Sequence, residues 1–160
     1  MVTARRESGF TATEILVVLV IVGIMAALAM PSMSGLLATQ AVRAASYDLN
    51  ADLVFARSQA ITRATDVSVT GTTGTDFKAG WTITEAAGGS TLRTQGSRDS
   101  KIVFTANNGN IVTFDRTGRV TVGAPASWSI VPYGTSQDHQ KRCIKLDPSG
   151  RPKTTEGVCT

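Results

Sequence analysis

From Phe10 to Met30 the chain is apolar at almost every position, FTATEILVVLVIVGIMAALAM, with Glu14 as its one formal charge and Pro31 directly after it. A helix of that length spans roughly 31 Å, about the depth of a bilayer's hydrocarbon core. The stretch therefore reads as a membrane segment. The pattern then changes. Met33, Leu36, Leu37, Ala41, Ala44, Ala45, Leu49, Leu53, Ala56 and Ala60 recur every three or four positions, and Arg43, Asp48, Asp52, Arg57 and Arg63 lie mostly off that stripe. This is an amphipathic helix that needs a surface to pack on from about Leu49 onward.

From Thr65 the period becomes two and turn residues multiply. Strands are expected at Val67–Thr70, Gly80–Thr84, Thr91–Thr94, Lys101–Thr105, Ile111–Phe114, Arg119–Val122, Trp128–Val131 and Cys143–Leu146. Their core is expected from Trp81, Ile83, Leu92, Ile102, Phe104, Phe114, Val120, Val122, Trp128, Ile130, Ile144 and Leu146. The fold class is α+β: a long N-terminal helix, its first half transmembrane and its second half amphipathic, packed on an antiparallel β-sandwich-like domain. Phe114-Asp-Arg-Thr-Gly-Arg119 and Leu146-Asp-Pro-Ser-Gly-Arg151 echo each other. Both read as tight hairpin turns in which Asp bonds the turn backbone and Gly takes a positive φ.

Three readings of the first stretch compete. Arg5 and Arg6, the apolar run and Ala27-Leu28-Ala29 compose a secretory signal peptide, but such a peptide rarely opens its apolar region with a glutamate. A plain single-span anchor leaves Glu14 unexplained, since a lipid-facing carboxylate costs on the order of 2–4 kcal/mol. The third reading is a resemblance. Gly9-Phe10-Thr11-Ala12-Thr13-Glu14, a short basic leader, the apolar run and Pro31 resemble the N-terminus of type IV pilins and type II secretion pseudopilins. The departure is Ala12-Thr13, where that family usually carries two larger apolar residues.

The resemblance implies that residues 1–9 are a leader removed by a prepilin peptidase, which cuts between Gly9 and Phe10 and methylates Phe10. It also implies that Glu14 guides assembly, and Gly23 and Pro31 match within the helix. In a filament, Glu14 is expected to meet the terminal amine of a neighbouring subunit. Breaking such a buried pair is costly, so the charge acts as a registry device. The segments are then 1–9 leader, 10–31 transmembrane and filament-core helix, 32–64 amphipathic helix, and 65–160 β-rich domain. Leu53-Val-Phe-Ala-Arg57-Ser-Gln-Ala60-Ile61-Thr-Arg63, the strand after it and the Gly-Arg turn ahead of a final cysteine resemble the GspH/FimT group, which holds H-type pseudopilins and matching minor pilins.

Composition adds a modest positive balance. The formal charge is +4, and it falls to +3 once Arg5, Arg6 and Glu7 leave with the leader. Cys143 and Cys159 are an even pair, which in an exported protein reads as a disulfide, with two buried free thiols as the alternative. The bond closes a loop of about 16 residues and stabilises by roughly 3 kcal/mol on the chain-entropy model. No metal or other cofactor is expected, since His139 is the single histidine and has no soft ligands near it. No nucleophile with a paired base and no phosphate loop appears, so the chain is read as not an enzyme.

Lys141, Arg142, Lys145, Arg151 and Lys153 gather at the C-terminal end against Asp138, Asp147 and Glu156. They are candidate contacts for DNA or for a partner subunit. Some minor pilins of the group bind DNA through a Gly-Arg-x-Arg turn; the run here is Gly150-Arg-Pro-Lys153, and lysine lacks the bidentate fork of arginine. The expected function is a minor type IV pilin acting in assembly or initiation at the filament tip. The alternatives are an H-type pseudopilin of a type II secretion system and a pilus-tip DNA receptor. Expected partners are the prepilin peptidase, other minor pilins and the major pilin (or pseudopilins) and the inner membrane, with DNA less expected. The place is the inner membrane, single-pass, with the domain in the periplasm, and then the pilus surface.

Overall fold

The computed structural model describes residues 10–72, 77–86, 88–98, 101–107, 111–123, 125–134 and 137–160, the side chains of residues 29–34 and of His139 excepted. The chain divides into two compact units, the first ending at Leu36 and the second running Leu37–Thr160. One helix, α1 (Ala12–Arg63), passes through both.

The first unit is helical, and its described side chains from Phe10 to Leu28 are all exposed. Its start is fixed by a capping box. The Thr11 hydroxyl accepts from the Glu14 amide at 3.3 Å, and the Glu14 carboxylate accepts from the Thr11 amide at 2.9 Å and its hydroxyl at 2.8 Å. Two of the donors that a helix start leaves unpaired are thereby satisfied. Among the described residues no helix is long and apolar enough to cross a membrane. The expected span runs on through residues 29 and 30, whose side chains lie outside the described ones.

In the second unit, α1 packs one face on two antiparallel sheets. That face carries Ala38, Val42, Ala45, Leu49, Leu53, Ala56 and Ala60. The expected stripe is right from Ala45 onward and misplaced before it: Leu36, Leu37 and Ala44 are exposed, and Val42 is fully buried. Stepping back from Leu49 at three and four residues leads to Ala45, Val42 and Ala38, so geometry rather than side-chain size chose the face. The helix ends at Ala64, whose φ of 52° is left-handed. The Thr65 amide bonds the Ala60 carbonyl at 3.2 Å, the closure usually made with glycine at this position.

The strands are β1 (Val67–Gly71), β2 (Trp81–Glu85), β3 (Thr91–Gln95), β4 (Ile102–Asn107), β5 (Ile111–Phe114), β6 (Val120–Val122), β7 (Ala126–Pro132), β8 (Arg142–Leu146) and β9 (Pro152–Glu156). One sheet has the order β3-β2-β1-β5-β6 and the other β4-β7-β8-β9, with neighbours antiparallel. Alternation delivers Val67, Val69, Ile83, Val112 and Phe114 from the first and Ile102, Trp128, Ile130, Ile144 and Leu146 from the second into one core. Phe77, in a single 3₁₀ turn (Phe77–Ala79), joins them. Its ring lies 6.0 Å from that of Trp81 and 5.5 Å, edge-on, from that of Trp128. Val122, expected in the core, is 47% exposed because β6 is an edge strand and turns that side chain outward.

Asp52 corrects the sequence reading more sharply. Expected on the solvated side of α1, it is 1% exposed and sits on the packing face one residue before Leu53. Its Oδ2 accepts from Trp81 Nε1 at 2.9 Å and its Oδ1 from Arg93 at 2.6 Å. The Arg93 guanidinium also lies 4.0 Å over the Phe55 ring. A buried carboxylate is tolerated here because both oxygens have donors. Asp48, four residues earlier, binds Arg98 at 2.7 Å, and Arg98 covers the other side of Trp81 with its guanidinium 4.5 Å from the ring centre. Helix and sheet are thus locked in register around one indole.

Candidate functional site

Among the expected processing and assembly residues, Gly9 lies outside the described residues and Pro31 has no described side chain. Phe10 is 85% exposed and immediately precedes the capping threonine. Glu14 is exposed and holds Thr11, so its carboxylate is anchored beside the residue that processing would make second in the chain. The Thr-x-x-Glu spacing was a readable signal for that cap. At Gly23 an added methyl group would meet nothing within 4 Å. That helix face is open.

At the other end of the chain the disulfide Cys143–Cys159 is formed. It fastens the last residues across the outer side of β8, where the Cys159 amide reaches Ser129 Oγ on β7 at 2.9 Å. The five candidate cations separate into two groups. Lys141 pairs with Asp138 at 2.9 Å and Arg142 with Glu156 at 3.4 Å, so these two are engaged within the chain. Lys145, Arg151 and Lys153 instead line a cleft of about 480 Å³ together with the apolar residues Ala126, Leu146 and Pro148. Lys145 and Lys153 stand directly opposite each other across β8 and β9, and Lys145 donates to the Thr160 carbonyl at 2.8 Å.

The two echoing turns meet beside this cleft. Asp115 Oδ1 accepts from the Thr117 amide at 2.8 Å and the Arg119 amide at 2.9 Å, and Asp147 Oδ1 accepts from the Ser149 hydroxyl at 2.5 Å and the Arg151 amide at 3.2 Å. Both carboxyls are held below their ordinary value, Asp115 chiefly by the Thr117 hydroxyl and Asp147 chiefly by that of Ser149. Gly118 and Gly150 take φ of 78° and 77°. Arg57 of α1 donates to the Gly118 carbonyl at 2.9 Å, and the Val120 amide bonds the Pro148 carbonyl at 3.1 Å. The hairpins β5–β6 and β8–β9, one from each sheet, are thereby pinned to each other and to the helix. His139 has no described side chain.

Comparison with known proteins places this arrangement. The profile of the family described as type II transport protein GspH matches residues 45–150. Among solved structures, the type IV minor pilin FimU of Pseudomonas aeruginosa is similar at 23% identity with a TM-score of 0.58, over 71% of this chain and 87% of that one. The minor pseudopilin EpsH from the type 2 secretion system of Vibrio cholerae is similar at 16% identity with a TM-score of 0.57, over 72% of this chain and 96% of that one. No curated protein sequence matches the chain.

Proposed function

We propose, from the premise that this chain belongs to the type II transport protein GspH family, that it is a minor type IV pilin, a non-enzymatic subunit that acts in assembly or initiation of the filament. The observation that carries this reading is the first unit of the structure. Ile15, Leu16, Val17, Val18, Leu19 and the apolar residues after them up to Leu28 are each half exposed or more, so this helix buries nothing within its own unit. A helix apolar on all sides needs lipid or other helices around it. The capped carboxylate of Glu14 at its start is the one charged side chain of this unit among the described residues and is suited to fix register there.

Cleavage between Gly9 and Phe10, methylation of Phe10, insertion in the inner membrane and a periplasmic second unit belong to the same proposal. So do the other minor pilins and the major pilin as partners. The shared fold with EpsH and the family's description favour one other reading, an H-type pseudopilin of a type II secretion system.

The experiment is deletion of the gene, with wild-type and Glu14→Ala complementation. The pilin reading expects fewer surface pili, continued export of secreted enzymes, and a Glu14→Ala protein that remains in the membrane but is missing from sheared filaments. Normal piliation with blocked secretion would transfer the chain to the secretion system. Normal piliation and normal secretion together would refute both.

A further inference from the structure

The cleft between the β8–β9 hairpin and the start of β7 has features that fold stability alone does not explain. Lys145 and Lys153 face one another on adjacent strands, and like charges directly opposite in a sheet repel. Arg151 adds a third cation to the same wall. Among the described residues, Asp147 is the acidic side chain lining the cleft, and one of its oxygens is committed to its own turn by the Ser149 hydroxyl and the Arg151 amide, while the main-chain oxygen of Thr160 takes the Lys145 ammonium at 2.8 Å. Among the described residues neither Arg151 nor Lys153 forms an ion pair; Asp147 offsets part of the Arg151 charge at longer range, and Lys153 has no acidic partner of its own.

The remaining surface says what kind of anion fits. Pro125 and Pro148, both exposed, give the cleft an apolar lining over the buried Ala126 and Leu146, and its volume of about 480 Å³ is within the range that takes several side chains. A phosphodiester backbone would use the cations and leave the apolar lining idle. It would also find only three positive contacts, one of them already donating to Thr160, which is few for a nucleic-acid track. A peptide carrying carboxylates beside apolar side chains uses both features.

We propose that this cleft binds an acidic, partly apolar segment of a neighbouring filament subunit, with Arg151 and Lys153 as its principal charge contacts. The identity of the partner rests on the subunit reading above; the chemistry of the cleft does not. Because the disulfide and the Cys159–Ser129 bond hold the chain end against the same sheet face, one wall of the cleft is preorganised.

Two measurements separate the site from the reading it rests on. The first is fluorescence anisotropy of a labelled peptide of alternating Glu and Leu, titrated with the full-length chain in mild detergent, beside its Gln–Leu counterpart and a short DNA duplex. The Glu peptide should bind and the Gln peptide should not. Arg151→Gln and Lys153→Gln should each weaken binding about tenfold, as for loss of a charge-assisted hydrogen bond, while Arg43→Gln on α1 should leave it unchanged. Both cleft residues are exposed, and unchanged circular dichroism would show that the variants fold. Equal binding by the cleft variants, or tighter binding of DNA through the same residues, would overturn the proposal.

The second measurement treats sheared filaments with a carbodiimide, which condenses a lysine amine with a carboxylate into an amide as the carbodiimide takes up the water. Mass spectrometry should find Lys153 or Lys145 joined to an Asp or Glu of another subunit. If the chain is present in filaments without such links, the cleft proposal fails and the subunit reading stands. Absence of the chain from filaments would refute the subunit reading, with the peptide titration still deciding the cleft.

Discussion

Replacing Asp52 with alanine tests whether helix and sheet are locked through the Trp81 indole. The side chain is 1% exposed and accepts from Trp81 Nε1 and from Arg93. Its removal strands a buried indole N–H, which costs about 1–3 kcal/mol. Arg93 is 42% exposed and can return to water, so the lost ion pair adds only about 0.5 kcal/mol after solvent screening. The expected loss is about 2–3 kcal/mol, a large share of a domain's roughly 5–15 kcal/mol. With a urea dependence of about 1–2 kcal/mol per molar, the midpoint should fall by roughly 1–3 M.

The assay is urea unfolding of the full-length chain in mild detergent, followed by the fluorescence of Trp128, which stays in every variant. Trp81→Phe completes a double-mutant cycle. Once the donor is gone, Asp52→Ala should cost about 1–2 kcal/mol less than it does in the wild type. Asp52→Asn keeps an acceptor for the indole and should fall between wild type and alanine. A midpoint shift below about 0.3 M for Asp52→Ala, at a slope of this size, would refute the argument. So would strict additivity in the cycle.

Other positions give independent outcomes. Ala64 closes α1 in a left-handed conformation, so Ala64→Gly should stabilise by about 0.5–1 kcal/mol in the same titration, against the usual direction of such a change. Gly150→Ala should cost more than Gly118→Ala: a methyl at 150 falls on the backbone carbonyl of Gly118, whereas one at 118 meets the movable Ile61 Cδ1 at 2.7 Å. Each also carries about 1–2 kcal/mol for a non-glycine residue at positive φ. The depressed Asp115 and Asp147 carboxyls contribute stability that is present above their ordinary value of 3.8 and is lost as pH falls through their lower folded values. The acid limb of melting temperature against pH should therefore lie below about pH 4 and flatten in Asp115→Asn/Asp147→Asn.

The eight strands read from alternation all form: seven carry apolar residues on one face, β3 has Leu92 alone, and each is followed by a turn containing glycine, proline or asparagine. The ninth, Pro152–Glu156, escaped that reading. It is an edge strand with no fully buried side chain, and Pro152 stands at its first position, where the ladder tolerates a missing donor. Phe77 was unreadable for a related reason: it enters the core from a 3₁₀ turn, which has no period to detect. The pairing of Cys143 with Cys159 and the twin Asp–Gly turns were legible from local chemistry. Asp52 was not, since a charge on an amphipathic helix is assigned to solvent until its phase is compared with Leu49, Leu53 and Ala56. Of the five basic residues, sequence alone could not divide those answered by Asp138 and Glu156 from those facing the cleft, because the division depends on strand register.

The most direct test of the central claim is the intact mass of this protein recovered from sheared, membrane-free filaments. The account predicts a chain beginning at Phe10, one methyl group heavier than the unmodified sequence, with the Cys143–Cys159 bond formed. A chain that begins at Met30, or one that retains residues 1–9, would contradict it.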